Sequence, residues 1–157
     1  MMVIFHCYKT ILLSKIGGHQ STQKRLCMNI PQFLSSNAFA VVGASNDRHK
    51  YGNKVLRCYM QHHKTVYPVH PSETTVEGLK AYLHLQELPD DVQSISIITP
   101  PAITEKIVQD AIEKHITNIW MQPGAESEKA INQCKQHGIN VIASGPCILV
   151  ELGFIDK

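Results

Sequence analysis

No two of the five cysteines, Cys7, Cys27, Cys58, Cys134 and Cys147, form a C-x-x-C pair, and their number is odd. This argues against a disulfide framework and against a thiolate zinc site. Of the nine histidines only His62 and His63 adjoin, and neighbours in sequence do not share a helix face. No apolar run approaches the ~20 residues that cross a bilayer, so a soluble, cytoplasmic chain without membrane partners is expected. Charge of one sign is scarce too. The net charge is +2, and residues 1–27 carry Lys9, Lys15, Lys24 and Arg25 with no acid. The remaining 11 basic and 13 acidic residues leave 28–157 near −2, with no basic footprint for nucleic acid.

What the sequence has is enough apolar material for one core. At 157 residues and 43% hydrophobic content, folding buries roughly two-thirds of the accessible surface without metal or disulfide staples. The basic, acid-free stretch 1–27, with Gly17 and Gly18 paired, is expected to be a non-core leader or flexible extension, a weak targeting peptide being the other reading. The domain proper is expected over 28–157.

From Ala38 onward short β-rich runs alternate with helical patterns. Strands are expected over 39–42, 66–69, 92–98, 116–121 and 139–143, with helices over 51–62, 102–115 and 126–137. A loop with a short helix is expected over 78–88, and a loop with a short terminal helix over 144–157. Pro68 cannot donate to a ladder and belongs at the end of its strand. Right-handed crossovers of this length imply a Rossmann-like α/β three-layer sandwich with a five-stranded parallel sheet, most simply in the order 3-2-1-4-5. Ligands in such sheets bind outside the carboxyl ends, here expected between strands one and four.

Small, polar and turn-forming residues gather at those ends. Gly43, Ala44 and Ser45 follow the first strand; Pro68, His70 and Pro71 the second; Thr99 and Pro100 the third; Gln122 and Gly124 the fourth. Gly43 permits a tight turn and close approach of a ligand oxygen, and Ser45 adds a hydroxyl beside the free amides of the next helix, which favour an anion. Tyr51 and the small Gly52 open that helix, while Arg48, Lys50 and Lys54 supply positive charge. The alternative is a tight structural turn with solvent-facing cations. A dinucleotide fingerprint is absent: the third and sixth places counted from Gly43 are Ser45 and Arg48, and the second strand ends in His70 where an acid would clamp ribose hydroxyls.

Taken in order, VVGAS, KYGNKV, VYPVHP, IITPP, IWMQPGAES and GPCILVE resemble the stand-alone CoA-binding domain family, over roughly Pro31 to Glu151. That family is related to the nucleotide-binding domain at the start of the succinyl-CoA synthetase alpha subunit. The resemblance implies a domain that holds CoA through its ADP portion. It places Gly43 and Ser45 at the phosphate turn, Tyr51 and Gly52 at the helix start, Pro68 and Pro71 at the second-strand exit, and Thr99 and Pro100 along the adenosine or pantetheine path. The family usually has asparagine where this chain has His70. The resemblance carries no chemistry by itself, because the synthetase relies on a phosphohistidine from a further domain and on a beta subunit.

The expectation is therefore a CoA or acyl-CoA binding protein, with a small-molecule nucleotide as its principal partner, present as a monomer or weak homodimer and open to a protein partner. An NAD(P)-dependent oxidoreductase and a degenerate structural domain are the alternatives. Cys147 reads first as a packed loop anchor, Trp120 as core, and Gln122 as one wall of the cleft. Glu126 and Glu128 complement a helix dipole and form no acid/base pair.

Overall fold

A computed structural model of the chain describes residues 28–157; the leader expected over 1–27 lies outside the described residues. In chain order the elements are α1 (Ile30–Leu34), β1 (Ala38–Val42), α2 (Tyr51–Gln61), β2 (Thr65–Val69), β3 (Thr75–Val76), β4 (Leu79–Lys80), a 3-10 turn (Leu85–Glu87), β5 (Val92–Ile97), α3 (Pro101–Glu113), β6 (Asn118–Met121), α4 (Glu128–Gln136), β7 (Asn140–Ile142) and α5 (Ile148–Leu152). Every expected strand and helix is present. Helix α1 and the β3-β4 hairpin are additions.

The central sheet is five-stranded and all parallel, in the order β2-β1-β5-β6-β7. Strands β1 and β6 are buried along their whole length, as a parallel sheet covered on both faces requires. Helices α2, α1 and α5 cover one face, where Val55, Leu56 and Tyr59 pack with Phe33, Trp120 and Ile148. Helices α3 and α4 cover the other through Val108, Ala111, Ala130 and Cys134. The Rossmann-like architecture thus stands. No helix among the described residues is long and apolar enough to cross a membrane.

The strand order needs one correction. The segment over 92–98 was expected outside the second strand, but β5 lies between β1 and β6. The place beside β2 is held by a single bridge, Val69 with Tyr82, so the order 3-2-1-4-5 is met only when Tyr82 is counted as the third strand. Burial explains the exchange: β5 is buried almost throughout and demands a neighbour on each side, whereas Leu79 and Lys80 are only half-buried or exposed. The switch point, where such sheets bind ligands, consequently falls between β1 and β5, not beside the strand over 116–121. Helix α2 leaves β1 toward one face and α3 leaves β5 toward the other, which makes this the topological switch point.

Pro68 is the penultimate residue of β2 and pairs with Val41. Its carbonyl accepts the Tyr82 amide, so its missing N–H also faces the sparsely paired outer side and costs no ladder bond.

Candidate functional site

Two glycines set the geometry of the first strand-to-helix turn. Gly43 has φ +92°, a conformation that side chains rarely adopt, and a Cβ there would sit 2.4 Å from the Ile98 carbonyl oxygen. A Cβ on Gly52 would fall 1.9 Å from the Gly43 carbonyl oxygen. Helix α2 therefore starts in direct backbone contact with the end of β1, which in turn crosses close over the end of β5. The Gly43 amide donates to Val69 at 3.1 Å, tying in the end of β2.

Within the first turn of α2 the amides of Asn53 and Lys54 donate to Lys50, at 3.2 and 3.3 Å. Those of Tyr51 and Gly52 have no intrahelical acceptor, as at any helix start, and Lys50 provides no side-chain cap. Ser45 Oγ accepts the Asp47 amide at 3.1 Å, which leaves its hydroxyl proton to donate elsewhere. Helix α3 is a poorer anion seat: Pro100 is its N-cap and Pro101 its first residue, so two amides are missing there. Thr99 Oγ1 bonds Thr104 Oγ1 at 2.9 Å and stiffens that side of the crevice.

The three cations differ. Arg48 grips Glu77 with Nε at 3.0 Å and Nη2 at 2.7 Å. Lys54 pairs with Asp156 at 2.9 Å, leaving exposed Lys50 as the one of the three outside any ion pair among the described residues. Pro71 is exposed and His70 half-buried beside the turn. Gln122 is fully buried; its Oε1 accepts the Ile148 amide at 3.1 Å, and Nε2 has no partner among the described residues. It thus joins the end of β6 to α5.

A buried network that the sequence reading did not identify holds the turn in place. Asn53 is fully buried, and its Nδ2 donates to the Ser45 carbonyl at 2.7 Å and to Glu77 Oε1 at 2.8 Å. Its Oδ1 accepts Arg57 Nε at 2.7 Å, and the buried Arg57 continues to Asp156 at 2.8 Å. Asn46 adds two links to the hairpin, donating to the Thr75 carbonyl at 2.8 Å and accepting the Glu77 amide at 3.1 Å. Glu77 and Gly78 both have positive φ, +48° and +80°, as the tight turn of a two-residue hairpin demands. Asparagine or glycine suits the first position better; glutamate there brings its carboxylate to Arg48 and Asn53.

Arg48 above all, then Asn53, holds the Glu77 carboxyl down at about 2. A carboxylate depressed on folding stabilises the fold above its unfolded range, and that contribution is lost as pH falls through about 4.5 toward about 2. Glu77→Gln is therefore expected to flatten the acid limb of a stability-against-pH curve. An unchanged limb would show that Glu77 makes no such contribution.

Cys147 Sγ contacts the Tyr51 hydroxyl, bringing the thiol to the start of α2; burial, then Cys147, pushes the Tyr51 ionisation upward. Burial pushes Cys58 to about 11 and Cys134 to about 12, so both are inert packing thiols. Trp120 lies in the core, edge-on to Phe33 at 5.2 Å, with Nε1 donating to the Pro146 carbonyl at 3.0 Å. Ser127 caps α4, accepting the Ala130 amide at 3.4 Å, while Glu126 accepts the Gly124 amide at 2.7 Å.

The glycine turn and the switch point lie within a sequence match over residues 37–153 to the family described as CoA binding domain. The chain belongs to the CoA-binding domain family. Over 88 residues this CoA-binding domain is 32% identical to the alpha subunit of acetate–CoA ligase (ADP-forming) II from Pyrococcus furiosus, covering 55% of this chain and 19% of that one. A 150-residue match to acetate–CoA ligase (ADP-forming) II from Archaeoglobus fulgidus is 26% identical and covers 85% and 22%. The CoA-binding domain thus spans about a fifth of the length of these ligases. Among solved structures, a conserved hypothetical protein from Pyrococcus furiosus superposes with TM-score 0.70 at 37% identity, over 73% of this chain and 98% of that one. The acetyl-coenzyme A synthetase 1 of Ca. Korarchaeum cryptofilum, solved with phosphate and ADP, gives 0.65 at 27% identity, over 74% and 27%.

Proposed function

We propose that the Gly43–Lys50 turn and the start of α2 seat the diphosphate of CoA or an acyl-CoA, and that the domain acts as a binding module with a regulatory role. The observation that carries this reading is the Gly43–Gly52 contact: a Cβ on Gly52 would lie 1.9 Å from the Gly43 carbonyl oxygen, so the start of α2 packs backbone to backbone against the end of β1 and its first amides lie beside the turn. A helix start with unengaged amides, a serine hydroxyl and Lys50 offer donors and charge to a diphosphate. Tyr51 borders the turn, with Thr99 and Pro100 across the switch point, whereas the Ala44 side chain is fully buried in the core and leaves only its backbone to the seat. Gln122, Arg48 and Lys54 support the frame through Ile148, Glu77 and Asp156.

Isothermal calorimetry with CoA tests the reading. Saturable binding is expected, and Ser45→Glu, which brings a carboxylate to the phosphate position, should abolish it while leaving circular dichroism unchanged. Full affinity in Ser45→Glu would reject the turn as the diphosphate seat; no heat at millimolar CoA would reject CoA as the ligand.

A further inference from the structure

Helix α5 ends at the left-handed Gly153, φ +74°, and residues 154–157 continue without secondary structure against α2. Their partners there are Lys54, Arg57 and Gln61, which the helical period sets on one face of α2. Gln61 grips the Ile155 backbone with both ends of its amide: Nε2 donates to the carbonyl at 2.7 Å, and Oε1 accepts the N–H at 3.2 Å. Asp156 accepts Arg57 Nη2 on one carboxylate oxygen at 2.8 Å and Lys54 Nζ on the other at 2.9 Å. The Arg57 guanidinium also lies over the Phe154 ring, 5.2 Å from its centroid. With Ile155 at Gln61 and Asp156 at Arg57 and Lys54, the strap runs antiparallel to α2, toward the helix start and the glycine turn.

Arg57 is where the strap meets the turn. Its side chain is only 8% exposed, and one rigid plane carries both Nε, bonded to Asn53 Oδ1 at 2.7 Å, and Nη2, bonded to Asp156. Moving the Nη2 partner therefore turns the Nε bond as well. Asn53 in turn holds the Ser45 carbonyl and Glu77. With the strap lifted, the buried cation keeps one neutral partner, Asn53, and the carboxylate whose charge it still feels is Glu77. Turning toward Glu77 sets Arg57 against Asn53 Nδ2 and Arg48, which already bond that carboxylate, and loosens the hold on Ser45.

We propose, on the basis of the nucleotide seat proposed above, that residues 154–157 are a latch: docked on α2 they hold the turn in its binding shape, and bound nucleotide in return holds them down. The affinity of the domain is thereby adjustable from outside the seat. Whatever draws the strap off α2 weakens the ligand, and departure of the ligand frees the strap, because coupling between two sites is reciprocal.

Calorimetric titration of the whole chain with CoA compares the wild type with Asp156→Ala, which cuts the bond to Arg57, and with Gln61→Ala, which loosens the strap without removing a charge. Each protein is measured at a temperature where circular dichroism shows it folded. Both variants are expected to bind CoA about fivefold or more weakly, Asp156→Ala the more so. Loss of a carboxylate through its charge alone would tighten an anionic ligand, so weakening in Asp156→Ala separates the latch from a field effect. In the wild type, hydrogen exchange at the Ile155 amide is expected to slow by a similar factor at saturating CoA. Unaltered or tighter binding in either variant, or Ile155 exchange that CoA leaves unchanged, would overturn the latch and spare the seat. No binding of CoA by the wild type would overturn seat and latch together.

Discussion

Gly52→Ala is expected to destabilise the chain by about 3 kcal/mol or more and to abolish CoA binding with it. The added Cβ would lie 1.9 Å from the Gly43 carbonyl oxygen and 2.9 Å from its carbon, both backbone atoms that no rotamer change can move aside. Relief would need either α2 to lift from the sheet, opening the core around Val55, Leu56 and Tyr59, or the end of β1 to shift out of register with β2 and β5. Gly124→Ala is the matched control. Its φ of +92° equals that of Gly43, but a Cβ there meets nothing within 4 Å, so only backbone strain of about 1–2 kcal/mol is expected. Urea unfolding midpoints of the two variants measure the difference. Equal midpoints would mean that the strand-to-helix contact is looser than described.

Asn53→Ala is expected to cost about 3 kcal/mol and to weaken CoA binding beyond what the stability loss explains. This side chain satisfies three groups at once: the Ser45 carbonyl, Glu77 and the guanidinium of Arg57. Truncation leaves the buried Arg57 with only its Asp156 and C-terminal contacts and removes one of the links between the turn and the hairpin, those of Asn46 and Arg48 remaining. Chemical denaturation gives the stability change, and calorimetry at a temperature where the variant is fully folded gives the binding change. A drop in stability with unaltered affinity would show that the network supports the fold without shaping the site.

Much of this architecture was legible because the strands are buried on both faces. Runs such as Phe39–Val42 and Ile95–Ile98 read as strands, and the apolar spacing of Val55, Leu56 and Tyr59 as a helix, since period and burial coincide there. The glycine turn was visible for a related reason: glycines at 43 and 52 bracket a polar segment, and the structure shows each required by a backbone contact. Lateral order was less legible. Local pattern fixes which residues form a strand, but whether 92–97 pairs with β1 or β2 depends on long-range burial, and the lone Val69–Tyr82 bridge leaves no periodic signal.

The cations show the same limit. Arg48, Lys50 and Lys54 are equivalent in sequence, and only the fold turns Arg48 to Glu77 and Lys54 to Asp156. Asn53 and Glu77 lie 24 positions apart and draw their importance from each other, so neither stood out alone. A faint signal did exist in Glu77-Gly78, a two-residue hairpin pair in which glutamate is an unfavourable first member. His70 occupies a position where asparagine was expected, and its Nδ1 contacts explain how an imidazole keeps the turn that an amide oxygen would make.

Amide chemical shifts followed by 15N-1H correlation NMR during a CoA titration test the seat most directly. The proposed seat predicts saturable shifts concentrated at Gly43–Gly52, His70–Glu73 and Thr99, the carboxyl edge of the sheet. Shifts confined to the opposite edge, at His115, Thr117 and Gly138, would contradict it.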